Sequence, residues 1–125
     1  MSTRRKTKAD VPFDIIKIGY VDAKVNAVES REIEKRDNIF GEWFAKNHEI
    51  DFDGDMADGE KLNTILHEVL HAIVHVWGID FKSFDTSHEQ EEHVVNAMAS
   101  ALITVFKDNP EYLLWMYNKL HGEEE

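Results

Sequence analysis

The amino-acid sequence predicts one α+β domain, in which a small antiparallel sheet of about three strands precedes three helices. Three observations support this fold class. The 125 residues are enough for one hydrophobic core and too few for two. Short alternating runs rich in Ile, Val, Phe and Tyr occupy the first half, and apolar residues with helical spacing occupy the second. We expect the domain to span residues 11–122, after a flexible basic tail at residues 1–10.

Composition restricts the partners and the chemistry that this chain can support. It contains no cysteine, so any metal must be bound by histidine and carboxylate side chains. The formal net charge of -11 argues against nucleic acid as a partner, because a phosphate backbone would be repelled. No apolar run is long enough for a transmembrane helix, so we expect no membrane association and a cytoplasmic location.

The predicted strands lie in the first half. Residues 11–25 alternate between apolar and polar side chains, which predicts one or two short strands. The charged stretch 29–37 is typical of an exposed loop or a hairpin connection. Residues 39–45 and 48–52 are predicted to form two further strands, and the later one is expected to present an edge to which an extended peptide can add.

Capping residues in the second half predict three helices. Asp58 is the expected N-cap of the first, and Gly78 follows its last turn. Ser87 begins a capping box, and Asn109 precedes a proline at a first helical turn. With their caps, the second and third helices span residues 87–107 and 109–121, and the first spans 59–77.

The spacing of apolar residues predicts which face of each helix is buried. For the first helix the predicted core face is Leu62, Ile65, Leu66, Val69, Ile73, Val76 and Trp77. For the second it is Val94, Val95, Met98, Leu102 and Val105, and for the third it is Leu113, Leu114, Met116, Tyr117 and Leu120. Nearly opposite the core face of the first helix lie Thr64, His67, Glu68, His71 and His75, and we expect another element to pack over them.

The sequence His67-Glu68-Val69-Leu70-His71 carries the clearest chemical signal. Histidines four residues apart lie on one face of a helix, where their imidazoles can converge on one Zn²⁺. Glu68 projects beside them and is placed to act as the general base in the HExxH pattern of zinc peptidases. His75 extends the row by one turn, and we expect it to support the site rather than to bind the metal.

A catalytic zinc site ordinarily has three protein ligands, so a third is needed. Glu91 and Glu92 follow His71 by 20 and 21 residues, which suits a helix, a short connection and an antiparallel return. Glu91 is in line with the apolar stripe, where a metal would offset the cost of burying a carboxylate. Glu92 shares a face with Asn96 and Ala99, which suits close helix packing and lets Asn96 hydrogen-bond a metal-binding histidine. We take Glu92 as the predicted third ligand and Glu91 as its alternative.

With these residues in view, the chain resembles small zincin-like metallopeptidases of bacteria and their phages. The matching stretches are residues 64–73 (TILHEVLHAI), 91–102 (EEHVVNAMASAL) and 108–110 (DNP). A more distant similarity is to the ImmA/IrrE group, whose members are implicated in cleaving or removing repressors. The resemblance implies an HExxH zinc hydrolase, located in the host cytoplasm if the chain is phage-encoded.

Residues and resemblance together predict hydrolysis of a peptide bond in a peptide or protein substrate. His67, His71 and Glu92 would bind Zn²⁺, and Glu68 would accept a proton from the activated water. The alternative is a non-catalytic, zinc-stabilised module that binds a host or regulatory protein, for which the acidic surface would suit a basic partner. A metal-free helical interaction module is a further alternative. The sequence specifies neither the substrate nor an oligomeric state.

Overall fold

The computed structural model of the protein describes residues 11–36, 40–82 and 85–122, and the predicted basic tail lies outside these ranges. In chain order the described elements are β1 (Ile15–Ile18), β2 (Val21–Val28), α1 (Ser30–Glu34), β3 (Gly41–Phe44), β4 (Glu49–Asp53), α2 (Asp58–Trp77), α3 (Ser87–Asp108) and α4 (Pro110–Leu120). The α+β class is therefore as predicted. The described residues form one strand and one helix more than expected.

The four described strands form a mixed sheet in the order β1-β2-β4-β3. The pairs β1–β2 and β3–β4 are antiparallel, whereas β2 and β4 are parallel, with Lys24 opposite Glu49. The expected sheet was wholly antiparallel. The difference arises because β4 lies between β2 and β3, which leaves β3 as an outer strand. The prediction that residues 48–52 present a sheet edge is therefore wrong, and β3 takes that position.

A short helix, α1, occupies the stretch that was predicted to be an exposed loop. Ile33 of α1 is fully buried among charged neighbours, and a single apolar residue is too small a signal to predict a helix. The Ser30 hydroxyl donates to Asp53 at 2.7 Å, and beyond the helix Arg36 Nη1 lies 3.1 Å from Asp51 Oδ2. α1 therefore packs on the face of the sheet from which the Asp51 and Asp53 side chains of β4 project.

The hydrophobic core lies between the sheet and the longer helices. Ile65, Val69 and Ile73 of α2 are fully buried with Ile50 and Phe52 of β4 in one cluster. Of the other residues of its predicted core face, Leu62, Val76 and Trp77 pack half-buried against this cluster, whereas Leu66 is half-buried outside it. The predicted end of α2 is confirmed by the left-handed conformation of the residue after Trp77, a glycine with φ of 60°.

Two predicted N-caps are wrong by one residue. The N-cap of α2 is Ala57 rather than Asp58, and Asp58 Oδ2 instead lies 3.2 Å from Lys119 Nζ of α4. The N-cap of α3 is Thr86 rather than Ser87, because the Thr86 hydroxyl accepts the N–H of Glu89 at 3.0 Å. Ser and Thr are both favoured at N-caps, so two adjacent candidates leave the first residue of the helix open by one position.

The orientations of α3 and α4 differ from the predictions in part. α3 packs against β1, α2 and α4, with Ala101 and Val105 fully buried, whereas Val95 of its predicted core face is exposed. α4 buries Tyr112, Trp115 and Met116. Of its predicted core residues only Met116 is buried, and the exposed ones are Leu113, Leu114, Tyr117 and Leu120.

Asn109, between α3 and α4, covers the outer edge of β1. Its Oδ1 accepts the backbone N–H of Lys17 at 2.7 Å, and its Nδ2 donates to the carbonyls of Lys17 and Val105 at 2.8 and 2.7 Å. One side-chain amide therefore makes the hydrogen bonds that a neighbouring strand would otherwise make.

None of the helices in the described part of the chain combines the length and the apolarity needed to cross a membrane.

Candidate functional site

The site is built on one face of α2. His67 and His71 are exposed and one turn apart, and their ring centroids are 4.8 Å apart. One potential ligand atom from each of His67, Glu68 and His71 can be chosen so that all three lie within 4.8 Å of one another. The helical spacing read from the sequence therefore does bring these three side chains together.

Close packing of β3 onto α2 shapes the floor of the site. A Cβ atom at Gly41 would lie 2.8 Å from Thr64 Cγ2 and 2.9 Å from the Asp51 carbonyl oxygen, both closer than such contacts allow. It would also lie 3.4 Å from Glu68 Oε2. Only glycine permits this approach, which places the edge strand directly against the Glu68 carboxylate.

Glu68 is the buried member of the group, with 6% of its surface exposed. Burial raises the pKa of its carboxyl above the usual value, because the charged form loses its hydration. The charge of His67 opposes this rise in pKa, the charge of Glu42 adds to it, and a hydrogen bond from the backbone N–H of Trp43 opposes it. The carboxylate is thus partly dehydrated and fixed in direction, as a proton acceptor requires.

The group opens into a cavity of about 550 Å³ between α2 and the edge of the sheet. The polar side of its lining includes His67, Glu68, His71 and His75, and Trp43 of β3 contributes an aromatic wall. The described residues that line the cavity are Glu42, Trp43, Ala45, His67, Glu68, His71, Val74 and His75. The prediction that another element packs over this face of α2 is confirmed, and that element is β3.

Trp43 is held between two imidazoles at the rim of the cavity. Its ring stacks on His48 with centroids 6.2 Å apart and an interplanar angle of 5°, and it lies 6.3 Å from the ring of His75. His48 adopts a left-handed conformation with φ of 57°, which is costly for any residue other than glycine. The tight β3–β4 turn and the ring stacking together hold this conformation.

The outer edge of β3 faces the cavity. The Asp53 N–H donates to the Phe40 carbonyl at 2.9 Å, so these two residues form a hydrogen-bonded pair. Hydrogen-bonded and non-hydrogen-bonded pairs alternate along an antiparallel ladder, so the next pair, Gly41 with Phe52, is not hydrogen-bonded. Gly41 and Trp43 therefore direct their peptide groups away from β4. This agrees with the hydrogen bond from the Trp43 N–H to Glu68. Within the described part of the chain, β3 pairs with β4 alone.

The predicted third ligands are not brought to the group. Glu91 and Glu92 are exposed at the start of α3, and neither belongs to the set of close ligand atoms in the described ranges. The imidazole Nε2 of His93 accepts the Asp80 N–H at 3.1 Å, which turns this side of α3 inward and the adjoining Glu92 outward. Asn96 is exposed as well.

The position of α3 explains this arrangement. α3 packs against β1 and α2 at one side of the domain, whereas β3, which packs against Thr64 and Glu68, lies at the opposite edge of the sheet. The interpretation of residues 91–102 as a helix was correct, but the side of α2 on which it packs could not be read from spacing along the chain.

Sequence reasoning missed Gly41 and Trp43, the two β3 residues that contact Glu68. A glycine within a short strand, two positions before a tryptophan, is the signal that could have identified them, because a strand glycine often marks a close approach by another element.

The donor set suits zinc. Imidazole is a ligand that Zn²⁺ prefers, and an exposed pair of histidines beside a cavity leaves room for water or another ligand. The two histidines can therefore hold a divalent metal, and the Glu68 carboxylate beside them can act either as a third ligand or as a proton acceptor. Comparison of the chain with protein-family profiles, curated proteins and solved structures finds no significant match.

Proposed function

We propose that the protein is a zinc-dependent metallopeptidase that hydrolyses a peptide bond with Glu68 as general base. The observation that carries this proposal is the meeting of two exposed imidazoles with a buried, oriented carboxylate at the rim of a 550 Å³ cavity. His67 and His71 would hold the metal. Zinc in such a site supplies Lewis acidity, which lowers the pKa of water to about 7.

The residues of the chain perform the remaining steps. The Glu68 carboxylate accepts a proton from the attacking water and later gives it to the leaving amine. Burial raises the pKa of this carboxyl, which makes its carboxylate a stronger proton acceptor. An extended peptide adds to the outer edge of β3, where its main chain hydrogen-bonds to the Trp43 carbonyl and the Gly41 peptide groups, because the Trp43 N–H is already bonded to Glu68. This places the scissile bond beside Glu68, and we infer peptides or proteins as substrates rather than nucleic acid. We also propose a cytoplasmic location, since a chain without cysteine suits a reducing compartment.

Zinc binding and turnover test the proposal separately. The parent protein is expected to bind one zinc ion by calorimetry and to cleave an unstructured protein substrate. Glu68→Gln is expected to keep zinc affinity and to lose about 10²–10⁴-fold in rate, because the proton acceptor is removed. His67→Gln and His71→Gln are expected to lose zinc binding. The matched control is His88→Gln, an exposed histidine of α3 outside the cavity, which should change neither property.

The third ligand is tested by the same titration. Glu92→Gln is expected to weaken zinc binding at least about tenfold if α3 brings its carboxylate to the metal, with Glu91→Gln as the comparison. If neither substitution changes the affinity, the metal is held by the residues of α2 alone. A parent protein that binds no zinc would overturn the whole proposal.

A second candidate is a non-catalytic, zinc-stabilised module that binds a host or regulatory protein. The observation that favours it is the closeness of Glu68 to both histidines, which allows this carboxylate to be a ligand rather than a base. In that case Glu68→Gln would weaken zinc binding, whereas the peptidase proposal expects zinc binding to be retained. The one variant therefore separates the two functions.

A further inference from the structure

The edge strand β3 presents different side chains to the two faces of the sheet. Trp43 faces α2 and the cavity, and successive side chains of a strand alternate, so Glu42 and Phe44 project from the opposite face. Because β3 is an outer strand, Glu42 still borders the cavity. A strand of four residues that pairs with β4 alone, within the described ranges, needs further contacts to keep a fixed position.

Two carboxylates face one another across the β3–β4 ladder. Glu42 and Asp51 are partners in the register, so their side chains lie beside one another on one face of the sheet. The Asp51 side chain is fully buried, and 30% of the Glu42 side chain is exposed. Like charges directly opposite one another destabilise a sheet, and a buried carboxylate is costly unless a cation pairs with it. These two residues by themselves would therefore weaken the attachment of β3.

The guanidinium of Arg36 lies within ion-pair distance of both carboxylates. Its Nη1 is 3.1 Å from Asp51 Oδ2 and 3.5 Å from Glu42 Oε1. Its central carbon is 5.6 Å from the centre of the Phe44 ring. One half-buried side chain thus contacts both β3 residues of this face and the neighbouring strand β4. A planar guanidinium suits this position, because it can pair with carboxylates and lie over an aromatic ring at the same time.

We propose that Arg36 is a positioning residue for the substrate. From the face of the sheet opposite the cavity, it holds β3 in the position at which an extended peptide adds to the outer edge. The segment that carries Arg36 is itself fixed to β4, since the Ser30 hydroxyl of α1 donates to Asp53 at 2.7 Å. The substrate in this inference rests on the proposed function, whereas the attachment of β3 can be measured without any activity.

Amide hydrogen exchange tests the attachment of β3. Arg36→Gln is expected to accelerate exchange at the β3 amides at least about tenfold, because two carboxylates lose their shared cation, while exchange in β1 keeps the parent rate. Arg31→Gln is the matched control and should change neither strand, since the Arg31 side chain of α1 is 63% exposed and pairs with Glu29. Adding Glu42→Gln to Arg36→Gln should reverse the acceleration about two- to fivefold, because the opposed charges are then gone.

Two results of the exchange experiment would overturn the proposal. One is a parent-like exchange rate at the β3 amides of Arg36→Gln. The other is an equal acceleration in β1 and β3, which would show that Arg36 stabilises the whole fold rather than this strand. Arg36→Lys is the milder variant, and it supplies the same comparison if Arg36→Gln does not fold.

Peptide hydrolysis tests the consequence for the substrate. Arg36→Gln is expected to raise KM at least about fivefold and to change kcat less than about twofold, because the binding edge is loosened while Glu68 and both histidines remain on α2. Arg36→Lys should recover part of the loss, since an ammonium group keeps the charge but lacks the planar fork. Zinc affinity should equal that of the parent in each variant.

The outcomes separate this inference from the proposed function. A parent-like KM in a variant whose β3 amides exchange faster would refute the positioning role and leave the peptidase proposal intact. A parent protein that cleaves no peptide would refute the peptidase proposal and the role of Arg36 in substrate binding together. In either case the exchange rates alone decide whether Arg36 holds β3.

Discussion

The fold disfavours the charged form of the Glu68 carboxyl, because burial removes its hydration. Burial raises the pKa of its carboxyl above the unfolded value of 4.5, so the folded state binds a proton more readily than the unfolded state does. Its contribution to stability is therefore present below pH 4.5 and is lost as the pH rises through the folded pKa. Near neutral pH, where the proposed chemistry needs a carboxylate, Glu68 lowers the stability of the metal-free protein.

Glu68→Gln is accordingly expected to stabilise the metal-free protein at pH 8, by about 0.5–2 kcal/mol, the range that single stabilising substitutions commonly give. The gain should shrink at pH 4, where the parent carboxyl is protonated. Thermal unfolding in the presence of a chelator at both pH values measures this. Glu60→Gln, an exposed glutamate of the same helix, is the control and should show no such gain. A Glu68→Gln protein less stable than the parent at pH 8 would contradict the assigned cause.

Gly41 is the residue on which the contact between β3 and α2 depends. Gly41→Ala is expected to destabilise the fold by about 1–3 kcal/mol, because the new methyl group overlaps Thr64 and the backbone at Asp51. The same shift would separate the Trp43 N–H from Glu68. Denaturant unfolding measures the loss of stability.

A matched glycine provides the control for this substitution. A Cβ atom at Gly59 in the first turn of α2 meets nothing within 4 Å, so Gly59→Ala should be neutral or slightly stabilising. If the two alanine variants were equally stable, the close approach of β3 to α2 would not be the reason for glycine at position 41.

At the scale of elements, the two edges of the sheet differ in whether their peptide groups are hydrogen-bonded by another part of the chain. The edge of β1 is covered by the Asn109 amide, whereas the edge of β3 faces the cavity. Peptide addition at the uncovered edge is therefore the arrangement that our functional proposal requires. The Asn109 amide at the edge of β1 prevents other strands from pairing with that side of the sheet.

Asn109→Ala is expected to cost about 1–3 kcal/mol of stability, since the peptide groups of Lys17 lose their partner in a partly buried position. Chemical denaturation would show the change, and hydrogen exchange at the Lys17 amide should accelerate. Asn63→Ala, at an exposed position of α2, removes the same group without this effect. Unchanged exchange at Lys17 in the Asn109→Ala variant would show that the amide does not protect the edge.

Elements with a strong, one-sided apolar pattern were predictable from the sequence. α2 has one apolar face and one polar face, so both its core residues and the placement of its histidines followed from helical spacing. α4 has apolar residues on nearly all sides, and its spacing therefore could not distinguish the buried face, which carries Tyr112, Trp115 and Met116, from the exposed face. Ile33 alone could not indicate α1, because one apolar residue in a charged segment defines no period.

At the scale of the whole molecule, the parts that were not predictable depend on contacts between distant segments. The position of β4 between β2 and β3, and of α3 away from β3, depends on how the elements pack after they form. For this reason His67, Glu68 and His71 were brought together as predicted, while Glu91 and Glu92 were not. Local spacing determines what one helix can present, and tertiary packing determines what meets it.

Metal binding should stabilise the whole domain if the site is formed only in the folded state. A zinc concentration one hundred times the dissociation constant is expected to add about 2.7 kcal/mol to the free energy of unfolding. Differential scanning calorimetry with and without a chelator measures this. The double variant His67→Gln, His71→Gln should show no zinc-dependent rise in melting temperature, and an unchanged rise would place the metal elsewhere.

The parallel pairing of β2 with β4 has a consequence for how the chain acquires its fold. Lys24 and Glu49 are partners at the centre of the sheet, although α1, β3 and a turn separate them in sequence. A hairpin forms within microseconds, whereas this pair must close a long loop before the central ladder gains any hydrogen bond. During synthesis β2 can therefore pair only with β1, and its other edge stays unpaired until β4 has left the ribosome.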